Sequence, residues 1–409
     1  MPMLTEAPPR LALFGAEPAF AEPRHVGAPN IGDRSRLLAR IETMLDNRRL
    51  SNRGPMVGEF EARVARVAGV KHCIAMCNGT VALEIGARAL GLTGEVIVPS
   101  FTFVATAHAL KWQGLEPVFC DIDPATHSLD PDQVEALITP RTSGILGVHL
   151  WGRPAAVDRL RDIANRHNLR LMFDGAHAFG STLDGHPVGG GGDLEIFSFH
   201  ATKFLNSAEG GAVVTNDDHL ADRVRLMQNF GFTGEDQVSA LGVNGKMNEM
   251  SAAMGLTSLE SMDHFLDVAG RNHAAWQREI NPVDGLDMMT WGPAVSTNRQ
   301  YIVVDVTAER CGLTRDHLVA ALRAENILAR RYFYPGCHNM EPYRSTPPTG
   351  GYRLPHTEIV SRRVMVLPTG TAVSLDDIAR MGQALRDILC HAPEISRRLA
   401  APAESPVSA

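Results

Sequence analysis

The chain is predicted to fold as an α/β protein, with a mostly parallel central sheet covered by helices and a smaller α+β domain towards the C-terminus. Three observations lead there. From residue 72, short apolar runs alternate with stretches of helical apolar spacing. Strands that are apolar throughout are buried on both faces, and their alternation with helices makes neighbouring strands run the same way. The 409 residues, 44% of them hydrophobic, suffice for two domains, and beyond about residue 265 the regular alternation stops.

The first thirty residues are rich in Pro, Ala and Gly and read as an irregular arm. Residues 36–45 have helical spacing. The turn-rich loop Leu50-Ser51-Asn52-Arg53-Gly54-Pro55 follows, and the helix predicted at 59–67 sets Phe60, Val64 and Val67 on one face. Strands are then predicted at 72–76, 95–98, 116–120, 145–150, 169–173, 196–199 and 211–215. Helices are predicted between them at 80–90, 103–112, 134–138 and 155–166, the third started by Asp130 as N-cap and Pro131 at the first helical position. Further on come a strand at 301–304, a helix at 314–324, a Pro-, Tyr- and Gly-rich loop at 332–352 and a helix at 375–389. The expected division is 1–265 for the arm and large domain, 266–391 for the small domain and 392–409 for a mobile tail.

Composition narrows the function. A formal net charge of −7 argues against a nucleic-acid partner, so any anionic ligand must be met by local groups. The six cysteines are scattered, with no second close pair or His cluster to complete a metal site, and read as reduced thiols. No apolar stretch approaches the roughly 20 residues a bilayer crossing needs. The N-terminus lacks a charged leader followed by an apolar block. A cytoplasmic, soluble protein without membrane or metal partners is expected.

Four of the 39 basic residues are lysines, namely Lys71, Lys111, Lys203 and Lys246. A chain this biased towards arginine keeps lysine where a guanidinium will not serve, chiefly as an amine able to lose its proton and attack a carbonyl. Lys203 closes Phe197-Ser198-Phe199-His200-Ala201-Thr202, just after a predicted strand, and Asp174 ends the apolar run 169–173. An Asp at one strand end and a Ser and Lys after another are what a pyridoxal phosphate site needs. Lys203 is the candidate Schiff-base lysine. Asp174 is the candidate partner of the pyridine nitrogen, holding it protonated. His177 is a candidate for the ring hydroxyl, the alternative being a packed structural histidine. Thr80, at a helix start after Asn78-Gly79, and Ser198 are candidates for the phosphate, with simple capping as the alternative for Thr80. Phe103 is a candidate to stack on the ring, or else a core aromatic.

Asn78-Gly79-Thr80, the run Pro99 to Thr106, Val148-His149-Leu150-Trp151-Gly152, Asp174-Gly175-Ala176-His177, the run Ser198 to Lys203 and the run Glu209 to Asn216 together resemble the sugar aminotransferases of the DegT/DnrJ/EryC1/StrS group. The likeness spans nearly the whole chain. It implies the fold of the fold type I pyridoxal phosphate enzymes, with Lys203 joined to the cofactor, Asp174 on its ring nitrogen, Phe103 on its ring, and Thr80, the Val81 amide and Ser198 on its phosphate. It also implies that Asn244, in Gly242-Val243-Asn244-Gly245-Lys246-Met247, reaches the phosphate in the neighbouring subunit of a homodimer with shared sites. Two departures stand out: many members have Gln where His177 stands and Arg where Lys246 stands.

The implied reaction is a two-stage transamination, with pyridoxamine phosphate as the intermediate cofactor form and glutamate as amino donor to a nucleotide diphosphate keto sugar. Arg53, Lys246, Arg330 and Arg331 are candidates for the diphosphate. The segments 174–180 and 244–249 look most like enzymes that aminate C4 of dTDP-4-keto-6-deoxyglucose in deoxysugar pathways for natural products. Competing readings are a 3-aminotransferase, a sugar dehydratase of the same fold and a cofactor-binding sensor. The dehydratases carry histidine in place of the lysine, and a sensor is expected to carry an attached DNA-binding domain, of which the sequence shows none.

Overall fold

The computed structural model describes residues 10–400. Seven strands form the central sheet in the order His72–Met76, Gly211–Thr215, Leu194–Ser198, Arg170–Asp174, Thr142–Val148, Glu95–Pro99 and Glu116–Cys120. All are mutually parallel except Gly211–Thr215, which is antiparallel to both neighbours. Each predicted strand of this sheet is present within a few residues. Apolar packing explains why: Ile74, Met76, Val96, Val98, Leu146, Met172 and Ile196 are buried on one face with the helix Gly79–Ala89, while Ile97, Ile145, Leu171 and Phe173 are buried on the other with the helix Val157–His167.

The C-terminal part has its own core around an antiparallel sheet of Leu286–Met288, Ile302–Val306 and Val364–Leu367, backed by the helices Arg315–Ala324 and Leu375–Cys390. Side-chain caps start both helices: Thr314 accepts from the His317 amide, and Ser374 and Asp377 form a reciprocal capping box. Two features differ from the expected division. The helix Met262–Ile280 runs through position 265, burying Phe265 in the large core and Trp276 and Ile280 in the small one. The arm meets the other half: Leu11 and Phe20 lie in the C-terminal core, and buried Glu325 accepts the Ala12 and Ala19 amides, both at 2.7 Å.

The expected mobile tail also needs correcting. Residues Ala392–Ala400 form a helix whose Ile395 is fully buried in the C-terminal core, because its apolar positions recur at helical spacing. Positions 401–409 lie outside the described residues. Among the described residues no helix is long and apolar enough to cross a membrane.

Candidate active site

The parallel strands deliver their C-terminal ends to one edge of the sheet, where ligands of open α/β sheets bind. Asp174 is the last residue of its strand and is 6% exposed. Each carboxylate oxygen accepts one hydrogen bond, Oδ1 from the Ala176 amide at 3.0 Å and Oδ2 from the Thr106 hydroxyl at 2.9 Å. Lys203 follows the next strand in a turn closed by its amide on the His200 carbonyl at 2.8 Å. The lysine is half-buried, and loss of hydration lowers its pKa from 10.5 to about 8, against the opposing pull of the Asp174 charge. The two side chains therefore sit within one electrostatic environment. An amine with that pKa is partly neutral near physiological pH, as a nucleophile must be.

His177 joins them. It is buried, and burial together with the Lys203 charge holds its pKa well below the usual histidine value. Its ring lies 4.7 Å from Tyr301 and stacks at 6.0 Å on Phe333 and 6.2 Å on Trp151. Its Nδ1 is buried without a hydrogen-bond partner. Trp151 is fixed in turn, donating from Nε1 to His127 Nδ1 at 3.2 Å.

At the neighbouring strand end, Asn78 caps the helix Gly79–Ala89 by accepting the Val81 amide at 2.8 Å. The Val81 amide, expected on the phosphate, is accepted by this cap in the structure. The Gly79 and Thr80 amides are the donors without a protein partner among the described residues, since a first helical turn has no carbonyl to reach. Ser198 stands beside them: a Cβ on Gly79 would lie 3.3 Å from its Oγ and 3.0 Å from its Cβ, so glycine is what lets the helix end approach. Phe103, between the strand Glu95–Pro99 and the helix Ala105–Trp112, is 56% exposed and so is not the core aromatic of the alternative reading.

The cations expected on substrate divide. Arg330 lies over the Tyr332 ring at 5.0 Å and, with His25, Val26, Arg323 and Leu328, lines a cavity of about 230 Å³. Arg331 turns to Asp316 at 3.1 Å and Arg53 to buried Glu61 at 3.2 Å. Lys246 donates to Asn229 Oδ1 at 2.8 Å and lies over Phe230. Asn244 is exposed on the segment that runs beside the edge strand His72–Met76. The structure does not gather Arg53, Lys246 or Arg331 around Lys203 through any hydrogen bond or ion pair among the described residues.

Several residues that tie the site together carried no sequence signal. Asn298 donates to the His177 and Phe179 carbonyls at 2.8 and 3.1 Å, while Gln300 accepts the Phe204 amide and donates to the Thr202 carbonyl. Asn30 donates to the Phe204 carbonyl at 2.9 Å, so the arm also braces the lysine turn. Isolated polar residues in loops have no spacing to betray them.

With a partly neutral amine facing a braced anion across the strand ends, this is the architecture of the fold type I transferases. The chain belongs to the DegT/DnrJ/EryC1/StrS aminotransferase family, whose sequence profile matches residues 32–386. It is similar to the dTDP-4-amino-4,6-dideoxy-D-glucose transaminase of Shigella dysenteriae, 36% identical over 369 residues, 90% of this chain and 99% of that protein. It is 31% identical over 363 residues to the enzyme of the same name from Escherichia coli, covering 88% of this chain and 97% of that one. Among solved structures it resembles DesI, crystallised in the presence of its TDP-sugar product, with a TM-score of 0.92 and 51% identity over 96% of this chain and 99% of that one.

Proposed function

We propose that the protein transfers an amino group from glutamate to C4 of dTDP-4-keto-6-deoxyglucose, with pyridoxal phosphate as cofactor, in deoxysugar biosynthesis. The observation that carries this reading is the lowered pKa of Lys203 opposite Asp174, in a family of aminotransferases that depend on pyridoxal phosphate. The relatives named dTDP-4-amino-4,6-dideoxy-D-glucose transaminase, and DesI, crystallised in the presence of its TDP-sugar product, support the substrate.

The residues fit the cofactor. Unpartnered Gly79 and Thr80 amides and the Ser198 hydroxyl suit a phosphate at a helix start, and the orphaned His177 Nδ1 suits a ring hydroxyl. The exposed Phe103 ring suits one face of a pyridine, and the Asp174 carboxylate suits its protonated nitrogen. When bound, pyridoxal phosphate supplies an aldehyde carbon that exchanges amines and a ring that accepts electron density from a carbon losing its proton.

Lys203 Nζ, released as a neutral amine, takes the proton from the α-carbon of glutamate. In the second stage it delivers a proton to C4 of the sugar. Asp174 keeps positive charge on the ring nitrogen through both stages. The basic cavity at His25, Arg323 and Arg330 offers cations to a diphosphate, and Arg330 lies over Tyr332, whose ring is 6.2 Å from that of Tyr301 beside His177. Asn244 serves the phosphate held by a second copy in a homodimer.

The test is to incubate the purified holoenzyme with glutamate and each of several nucleotide keto sugars and to analyse products by mass spectrometry and NMR. A 4-amino-4,6-dideoxy sugar made from the dTDP substrate is expected. Amination at C3, or turnover confined to another nucleotide, refutes the assignment.

A further inference from the structure

Resting on the pyridoxal phosphate reading above, we propose that Thr106 is a positioning residue for Asp174, with Thr102 behind it. The two hydroxyls form a one-way chain that holds the carboxylate in a single orientation towards the ring nitrogen.

The geometry is closed at every atom. Thr106 Oγ1 lies 2.9 Å from Asp174 Oδ2 and 3.0 Å from Thr102 Oγ1. Thr106 is fully buried, Thr102 is 2% exposed and Asp174 is 6% exposed, so water does not substitute for either hydroxyl. An ionised carboxylate only accepts, which obliges Thr106 to give its proton to Asp174. Its oxygen is then left to accept, which obliges Thr102 to donate. Hydrogen bonds to a charged oxygen are the strong ones, so this contact fixes the orientation of the carboxylate. Among the described residues, Lys203 is the titratable group whose charge couples to this carboxylate, and the Lys203 charge in turn acts on His177.

The placement adds economy. Thr102 directly precedes Phe103 and Thr106 stands in the first turn of the helix Ala105–Trp112, so one segment braces the carboxylate and presents the aromatic ring. The C-terminal part anchors that segment: the Cys337 amide reaches the Ser100 carbonyl at 2.9 Å, and Ser100 Oγ meets His338 Nδ1 at 2.6 Å and the His338 amide at 3.0 Å.

The experiment is a pH titration of the visible band of the holoenzyme, with cofactor dissociation measured beside it. In Thr106→Val the midpoint is expected to rise by about one pH unit, the tenfold change that loss of one hydrogen bond to a charged group brings. The sign follows because a carboxylate free to turn away from the ring nitrogen leaves the ring less positive, and a less positive ring raises the midpoint. Cofactor dissociation should rise in step. Thr106→Ser keeps the wild-type midpoint, and Thr102→Val shifts it the same way by less. On an Asp174→Asn background, Thr106→Val adds nothing.

A purely structural Thr106 would lower stability and leave the midpoint alone. An unmoved midpoint in Thr106→Val while Asp174→Asn moves it overturns the proposal and leaves the cofactor reading standing, as does a further shift on the Asp174→Asn background. Should Thr106→Val not fold, an unmoved midpoint in Thr102→Val overturns it equally. A wild-type protein that takes up no pyridoxal phosphate overturns both.

Discussion

Lys203 carries the cost of its own usefulness. Its pKa of about 8, against 10.5 in water, means that folding without cofactor penalises the charged amine. The penalty is complete below pH 8, shrinks as pH rises from 8 to 10.5, and is gone above that range, where folded and unfolded forms are both neutral. Lys203→Met should therefore stabilise the cofactor-free protein at pH 7 by up to about 2 kcal/mol, a figure discounted for the partial exposure of the side chain. The gain should fade by pH 10.5. Urea titrations of both proteins at pH 7 and pH 10 check this, and a pH-independent difference would show that the substitution acts through packing instead. The lysine itself was legible because the chain spends so few of them, and Asp174 because an apolar run ends on it. Thr106 was not: its partner lies 68 positions away.

Secondary-structure elements earn their places through what holds their ends. The lysine turn is gripped by Asn30, whose Nδ2 donates to the Phe204 carbonyl and whose Oδ1 accepts the Thr371 amide, both at 2.9 Å. Asn206 returns a hydrogen bond to the Asn30 carbonyl at 2.8 Å. At 8% exposure little water can replace these contacts. Asn30→Ala should destabilise the protein by about 2 kcal/mol, because the buried Phe204 carbonyl and the half-buried Thr371 amide lose their partners. A fall in the urea midpoint with an unchanged slope is the expected result, and a loss under about 0.5 kcal/mol would mean that the arm does not brace the turn.

The helix Glu249–Glu260 illustrates why some elements escaped the reading. Its Ser251, Ala252, Ala253, Gly255, Leu256, Thr257 and Ser258 are buried, so it shows no single apolar stripe. Small residues serve there because Pro55–Val67 packs against it closely; a Cβ on Gly255 would come within 2.5 Å of the Phe60 ring.

One copy of the chain leaves an apolar surface uncovered around the hairpin that precedes Asn244. Phe230, Phe232, Val238, Leu241 and Val243 are between 44% and 70% exposed, a cluster that folded monomers seldom leave to water. Covering it with a second copy agrees with the proposed homodimer. Heterodimers of a Lys203→Ala chain with an Asn244→Ala chain should then regain activity that neither homodimer has, since one of the two shared sites is intact. Activity assays on heterodimers separated by dual affinity tags decide it, and inactive heterodimers would argue that each site is built from one chain.

Residues 72–215 announced the central sheet and the strand ends that bear Asp174, Ser198 and Lys203, because periodicity, caps and turns are properties of neighbours along the chain. The family likeness extended that to the chemistry. Distant contacts decided the rest: that the arm joins the C-terminal core through Glu325, that one helix spans both cores, that Asn78 claims the Val81 amide, and that Thr106 reaches Asp174. Such pairings depend on how packed elements meet in space, and no local spacing of residue types records them.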